Sequence, residues 1–386
     1  MLILLAAVCL IAPVKAQAAD TKSGFDKLPG KQIAQQISLI TGVAISPLMG
    51  VGAVGAWQYF EAKTPEQRAK LPWFANPLFW VPALLLVAAC FAKDTAGAAL
   101  PTALKKPFDV AETIEHKISG LVATGAFVPI AVSMFSAAHG GDGAALSQAG
   151  FAALDGSWLY QILMTPIAMV AFFLVFLASN AINILILLSP FTTVDAALKG
   201  FRTAILGTVA ASAWADPWLG AAWALVIILI SYFIAGWSFR LSHFGIVFIW
   251  DFVSRRCKRF TPNKVTNKMF LARKINKVPA RTYGDLCRDG RGVLVLRYKP
   301  WLVLPERILT LPEGQYAVGK GLFYSEILHI EGEVVRSAFL LPPRYRSHEE
   351  VLVGIYGFTD VRDSGLRATW RWLRGLFGLK PRTAAA

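Results

Sequence analysis

The sequence predicts an α-helical multi-pass membrane domain of about five spans, followed by a small α+β domain. Of its 386 residues, 55% are hydrophobic and only 16% charged, which is too apolar for a single soluble domain of this length. Apolar runs of bilayer length occupy the first two thirds, and shorter runs follow residue 260. The charge is also unevenly distributed. Up to Phe239 the chain has 13 Lys and Arg and 12 Asp and Glu, whereas beyond it the chain has 26 Lys and Arg and 12 Asp and Glu.

Five apolar stretches predict the spans, because a helix needs about 20 residues to cross a bilayer. Four cover residues 37–60, 73–92, 119–138 and 217–241, and the fifth, 158–188, is long enough to tilt or break. Tryptophans fall at the span ends, where an amphipathic indole prefers the headgroup region. These are Trp73, Trp158, Trp218, Trp237 and Trp250.

The two ends of the membrane domain predict its orientation. Residues 1–18 combine an apolar run with a small-x-small site and predict a cleaved signal peptide, the alternative being an uncleaved first span. Ten Lys and Arg lie between residues 255 and 281 with no acid among them, which places this segment in the cytoplasm. The expectation is a multi-pass inner-membrane protein with a cytoplasmic C-terminal domain.

An internal repeat is predicted within residues 19–254. Ser46-Pro47 matches Ser189-Pro190, and Asn76-Pro77 matches Asp216-Pro217 in the same order. The two units cover about residues 37–138 and 158–254. Duplicated units are common in transporters, where broken helices build the binding site, although scaffolds carry them too. Gly42, Ser46 and Gly50 also predict a small-residue stripe on one helix.

A basic juxtamembrane linker, 255–290, precedes a strand-rich domain, 291–386. Strands are expected at residues 292–304, 307–311, 322–330 and 333–341, which are rich in β-formers and bounded by Pro or Gly. Ser347 and Glu350 predict a capping box at the start of a helix, and an amphipathic helix over 364–377 follows. This order is similar to a small pleckstrin-homology-like barrel, an analogy of fold that implies no function.

Charged and amide side chains inside apolar segments suggest a solute pathway. Asp195, Lys199 and Arg202 share a helix face at i, i+4 and i+7, and buried intramembrane charges commonly mark a pathway. Asn180 and Asn183 lie one turn apart in the long fifth span. The favoured interpretation of the three charged residues is that they lie at the membrane interface, and that of the two asparagines is that they form helix–helix hydrogen bonds.

Asp109, Glu112 and His116 share one face of a predicted amphipathic helix and are weak metal-ligand candidates. They form an incomplete site, so an interfacial helix is favoured. Gly314 to Gly321 resembles a phosphate-binding loop, but Gly321 stands where a hydroxyl residue is required, which favours a turn. With no catalytic motif present, neither enzyme activity nor a cofactor is expected.

Basic side chains next to the last span favour anionic lipid headgroups as the partner. Nucleic acid is not expected, because no recognition motif accompanies the charge. Protein partners are not indicated, and self-association is left open. The candidate lipid-facing residues are Arg255, Arg256, Lys258, Arg259, Arg367, Arg371 and Arg374. For the final helix, docking of its apolar side on the strand domain is an equal alternative.

The region 73–120 resembles a bacterial multi-pass inner-membrane protein family of unknown function. The likeness rests on Asn76-Pro77, Lys93-Asp94, Pro107-Phe108-Asp109 and Glu112. It implies a bacterial membrane location and no particular activity. The favoured function is therefore a membrane anchor or scaffold that presents a basic lipid- or partner-binding domain. The alternative is a small-solute or ion transporter or channel with its pathway between the repeats.

Overall fold

The computed structural model describes residues 31–96, 113, 115–128, 156–189, 192–321, 324–332 and 334–364. The chain divides into two units, Met1–Ser238 and Phe239–Ala386. The first unit is helical in its described part, and the second contains a β-sheet. The predicted signal peptide and the predicted helix over 364–377 lie outside the described residues, apart from Ser364.

Long helices form the first unit, together with a helical segment, 115–128, that includes a π-helical turn at Ala123–Phe127. Helix α1 packs against α5 and α6, and α2 packs against α4. Helix α7 starts in the first unit and ends in the second. The helices are α1 (Lys31–Ile45), α2 (Pro47–Glu61), α3 (Pro65–Ala69), α4 (Pro77–Ala96), α5 (Gly156–Leu188), α6 (Thr192–Ala215) and α7 (Pro217–Val253).

Two of these helices are long and apolar enough to cross a membrane. They are α5, over Ile162–Leu188, and α7, and only 28% of the most apolar stretch of each is buried. Exposed apolar side chains such as Leu229 and Phe233 would be costly in water and suit a lipid environment. The structure thus supports two of the five predicted spans. Of the other three, 37–60 is split between α1 and α2, the apolar helix within 73–92 covers only Pro77–Ala88, and 119–138 is described only to residue 128.

Proline and a capping side chain define several helix starts. Asn76 Oδ1 accepts the Leu78 N–H (2.9 Å) at the start of α4, and Asp216 Oδ1 accepts the Trp218 N–H (2.8 Å) at the start of α7. These two residues are the pair matched in the predicted repeat. The structure therefore gives them the same local role, while the duplication itself stays a prediction.

The break between α1 and α2 lies at Ser46, where Pro47 opens the second helix. Because Gly42 and Gly50 fall on different helices, the predicted single stripe of small residues is wrong. Close packing in this region depends on Gly50, where a Cβ would lie 2.8 Å from the Val43 α-carbon, and on Gly55, which lies next to the Phe74 carbonyl. Any side chain at Gly55 would overlap that carbonyl.

An eight-stranded sheet forms the body of the second unit, in the order β4-β3-β2-β1-β7-β6-β5-β8. Neighbouring strands are antiparallel except for β5 and β8, which are parallel. A short helix, α8 (Glu349–Tyr356), packs against β5. The strands are β1 (Asn267–Leu271), β2 (Tyr283–Arg288), β3 (Leu294–Tyr298), β4 (Arg307–Thr310), β5 (Gln315–Lys320), β6 (Glu326–Glu331), β7 (Val334–Leu340) and β8 (Val361–Asp363).

This arrangement changes several predictions for the C-terminal domain. Strands β1 and β2 occupy the segment 255–290 that was expected to be a linker, and the phosphate-loop-like segment is strand β5. The capping box is wrong: His348 precedes α8, and Ser347 has a positive φ of 71°. The strand order, with β8 following α8, gives no support to a pleckstrin-homology-like barrel.

The end of α7 belongs to the second unit and packs on the sheet. The ring of Phe244 meets that of Phe270 edge-on, with centroids 4.9 Å apart. Farther along the helix, the Arg344 Nε donates to Asp251 Oδ2 at 2.6 Å, and both side chains are buried. Asp251 also accepts the Arg344 backbone N–H at 3.3 Å. Residues 239–253 are therefore part of the folded domain.

Candidate functional sites

The break between α1 and α2 creates a polar site in the first unit, which we call the helix-break site. It consists of the Ile45 carbonyl, Ser179, Asn183, Arg202 and His116. The Ile45 carbonyl lies at the last residue of α1, where the helix offers it no continuing partner. Side chains from α5 and α6 supply the missing donors.

Arg202 is the centre of the helix-break site. Its Nε and Nη2 donate to the Ile45 carbonyl at 3.1 and 2.9 Å, and its Nη1 donates to Asn183 Oδ1 at 2.7 Å. Ser179 Oγ donates to the same carbonyl at 2.7 Å. The planar guanidinium can bridge two acceptors because its donors point in fixed directions. The site thus joins α1, α5 and α6 through one side chain.

His116 brings the segment 115–128 to the same site. Its Nδ1 lies 3.3 Å from Arg202 Nη2 and must accept, because a guanidinium can only donate. The ring is 3% exposed and stacks on Phe176, with centroids 5.1 Å apart. This geometry assigns the neutral imidazole with its proton on Nε2.

The predicted pathway residues are partly brought together. Asn183 and Arg202 are in direct contact, while Asn180 and Asp195 are 3% and 1% exposed. Lys199 is half-buried and lies on the same side of α6 as Asp195. Sequence reasoning missed the Ile45 carbonyl and Ser179, although the Ser46-Pro47 pair signals a helix break and therefore an orphan carbonyl.

The predicted metal candidates are not assembled in the described part of the chain. Asp109 and Glu112 lie outside the described residues, and His116 is engaged with Arg202. Within the described ranges, no group of three or more His, Cys, Asp or Glu side chains could hold a metal ion.

A second polar site lies in the second unit, between the end of α7 and strands β2 to β4. We call it the basic pocket. It is a cavity of about 150 Å³ whose lining includes five cationic side chains and no carboxylate among the described residues. The cationic residues are Arg240, Lys277, Arg281, Lys299 and Arg307.

Two of these cations are held in place by the fold. Arg240 lines the pocket, and its Nε donates to the Ala280 carbonyl at 3.2 Å, which fixes the guanidinium there. Arg281 has a positive φ of 60°, and its Nε is buried without a hydrogen-bond partner among the described residues. Burial lowers the pKa of Arg281, and burial likewise raises the pKa of Tyr283. Desolvation therefore penalises the charged guanidinium.

The loop between β3 and β4 exposes a run of apolar side chains beside the basic pocket. We call residues 301–304 the apolar tip. Trp301, Leu302, Val303 and Leu304 are 47%, 42%, 84% and 45% exposed. The cations Lys299 and Arg307 flank this run on either side. Such a combination is typical of segments that enter the interface of an anionic membrane.

The predicted basic residues after α7 surround a short 3₁₀ turn, Arg256–Lys258. All four, Arg255, Arg256, Lys258 and Arg259, are exposed, and Arg256 Nη1 lies 3.8 Å from Asp251 Oδ1. The other predicted lipid-facing residues, Arg367, Arg371 and Arg374, lie outside the described residues. Sequence reasoning missed the basic pocket, because its cations come from separate elements that meet only in the folded domain.

Comparison with known proteins gives no information on function, so the two sites are the basis for it. No protein-family model, no curated protein and no solved structure matches this chain.

Proposed function

We propose that this chain is a multi-pass protein of the bacterial inner membrane, without catalytic activity, whose helical domain anchors a basic domain and holds it against anionic lipid. Support for membrane residence comes from α5 and α7, whose apolar surfaces are largely unburied. A core helix of a soluble protein would be mostly buried. The proposal keeps the five predicted spans and the cleaved signal as expectations.

The apolar tip is the observation that carries the lipid-binding part of this proposal. Four consecutive large apolar side chains are exposed in one loop, and such a contiguous apolar surface is unfavourable in water. Helix α7, at 37 residues, is about 55 Å long and exceeds a hydrocarbon layer of about 30 Å. Its final residues, which pack on the sheet, would therefore emerge near the headgroups.

Fluorescence in reconstituted membranes tests the tip directly. The native cysteines are replaced by Ser, and Val303→Cys in the full-length chain is labelled with an environment-sensitive dye. We expect brominated lipids to quench this dye in anionic nanodiscs and to quench it less in neutral ones. Arg291→Cys, in the exposed β2–β3 turn at the other end of β3, is the matched control and should not be quenched. Equal quenching at both positions would contradict the proposal.

The cytoplasmic placement of the basic domain rests on the cationic run after α7. Cys257 is half-exposed and Cys287 is buried, so a thiol reagent should reach the first much faster. In intact spheroplasts we expect a membrane-impermeant maleimide to leave Cys257 unlabelled, and to label it after lysis. Labelling before lysis would place the domain outside and reverse the proposed topology.

Transport through the helix-break site is the second candidate function. It is favoured by the meeting of Asn183 and Arg202 at a broken helix, the arrangement that transporters use at their binding sites. Asn183→Cys should then react with a small water-soluble thiol reagent in the reconstituted protein. Protection of this cysteine in the folded protein, with reaction only after denaturation, would argue for a packing role.

A further inference from the structure

The basic pocket has the size and chemistry of a site for one small anion. Its volume of about 150 Å³ is below the roughly 300–1,000 Å³ of pockets that enclose whole drug-sized ligands. Five cations line it, and no carboxylate among the described lining residues neutralises them. Like charges gathered in this way repel one another unless an anion joins them. A phosphate group fits both the volume and the charge.

Arg281 brings a desolvated cation to the pocket. Its Nε is buried and has no hydrogen-bond partner among the described residues. A buried polar atom in this state is rare in folded proteins, and it leaves the guanidinium poorly solvated. Arg281 lines the cavity, and a phosphate bound there would offset the desolvation of this charge.

Backbone conformation around the pocket is also unusual. Arg281, Trp301 and Leu302 have positive φ angles of 60°, 53° and 64°, and all three line the cavity. Non-glycine residues rarely adopt this conformation, and such residues cluster at ligand sites. Three such residues in one place carry backbone strain, which is more typical of a binding site than of a simple connecting loop.

The position of the pocket identifies the source of the phosphate. Trp301 and Leu302 belong both to the pocket wall and to the apolar tip, so an anion bound here lies next to side chains suited to the membrane interface. We propose that the basic pocket binds the phosphate of a lipid headgroup, with preference for a phosphomonoester lipid. A phosphomonoester has the smallest headgroup and carries close to two negative charges at neutral pH. This inference rests on the proposed function and adds the ligand to it.

Native mass spectrometry of the full-length chain tests the pocket. The protein in detergent is mixed with equal amounts of phosphatidic acid, phosphatidylglycerol and phosphatidylcholine, and the bound lipid is identified. We expect phosphatidic acid to be retained in preference to the other two. Arg281→Gln should weaken its retention by roughly ten- to a hundredfold, the effect of losing a charge-assisted hydrogen bond. Equal retention of all three lipids would overturn the proposal.

Two further variants keep the test decisive. Lys277 and Arg307 are exposed, so the double change Lys277→Gln, Arg307→Gln removes two pocket cations without disturbing the core and should also reduce retention. Arg291→Gln makes the same kind of change outside the pocket and should leave retention unaltered. Equal loss of lipid retention in both variants would show a non-specific effect of charge and would overturn the proposed phosphate site.

Two additional measurements complete the test. Competition with inorganic phosphate distinguishes a lipid ligand from free phosphate, and the dye at Val303→Cys distinguishes failure of the pocket from failure of the proposed function. Inorganic phosphate at the same concentration should not displace phosphatidic acid, and full displacement would assign the pocket to a soluble anion. The dye at Val303→Cys reports insertion of the tip independently. Lipid-dependent quenching without preference for phosphatidic acid would refute the pocket alone. Loss of anion-dependent quenching would refute the proposed function.

Discussion

The ion pair between Asp251 and Arg344 offers a sharp test of how the end of α7 is held on the sheet. The Asp251 side chain is fully buried and that of Arg344 is 9% exposed, with a 2.6 Å hydrogen bond between them. Asp251→Asn removes the negative charge and leaves a buried guanidinium without its counter-charge. Breaking a buried pair in this way costs about 3–5 kcal/mol. This is a large fraction of the roughly 5–15 kcal/mol that stabilises a typical domain.

Thiol exposure on heating provides the assay. Cys287 is 2% exposed in β2, so it becomes reactive only when the second unit opens. With the other cysteines replaced by Ser, a thiol-reactive dye reports the melting temperature of this unit in the full-length chain. For a domain of this size, 3–5 kcal/mol corresponds to a fall of roughly 6–20 °C.

Two controls determine whether the reasoning holds. Glu350→Gln breaks the ion pair with Lys320, in which the Glu350 side chain is 66% exposed and the Lys320 side chain 30% exposed. This change should cost less than about 1 kcal/mol of stability. The double change Asp251→Leu, Arg344→Met removes both charges and should recover much of the loss. A melting temperature for Asp251→Asn equal to that of Glu350→Gln would refute the argument. So would a double variant no more stable than Asp251→Asn.

Three further predictions concern other parts of the molecule. Arg202→Met removes the bridge at the helix-break site and should cost about 1–3 kcal/mol, measured as loss of the monodisperse peak in size-exclusion chromatography after heating. Gly55→Ala should lower stability in the same assay by about 1–3 kcal/mol because its Cβ overlaps a neighbouring carbonyl, whereas Gly200→Ala meets open space and should be neutral or stabilising. Burial raises the pKa of Tyr316 and of Tyr356 to about 12, so the stability from each neutral phenol is complete below pH 10 and is lost as the pH rises through 12. The thiol-exposure melting temperature should therefore fall between pH 10 and 12, and Tyr356→Phe should reduce that fall.

The helical nature of the first unit could be predicted because long apolar runs limit the chain to few structures. The split at Ser46 was not predicted, since an apolar composition continues across it. At the helix-break site, Asn183 and Arg202 were identifiable as polar side chains in apolar helices. Their common partner was not, because the Ile45 carbonyl belongs to the backbone, and the Ser46-Pro47 pair is the one sign of the helix end that leaves it without a helical partner.

In the second unit, charged residues in the sequence concealed two strands. Strands β3, β4, β6 and β7 were expected. Strand β5 was predicted as a turn, β8 was not predicted, and β1 and β2 were hidden by the charge of the segment 255–290. In β1, Lys268 is exposed, whereas Met269 and Leu271 are buried in the core. The apolar residues were visible in the sequence, but a high density of cations suggested a solvated linker. Local charge is a poor guide when a strand needs only a few buried side chains.

The pairing of Asp251 with Arg344 has a consequence for biosynthesis. The two residues are 93 positions apart, so at about 5–20 residues per second the carboxylate leaves the ribosome roughly 5–20 s before its partner. On the proposed topology, α7 enters the membrane during that interval. A helix inserted one turn, about 5.4 Å, too deep would draw Asp251 out of hydrogen-bond reach of Arg344. The sheet can close only on a helix inserted to the right depth, so the ion pair acts as a check on insertion.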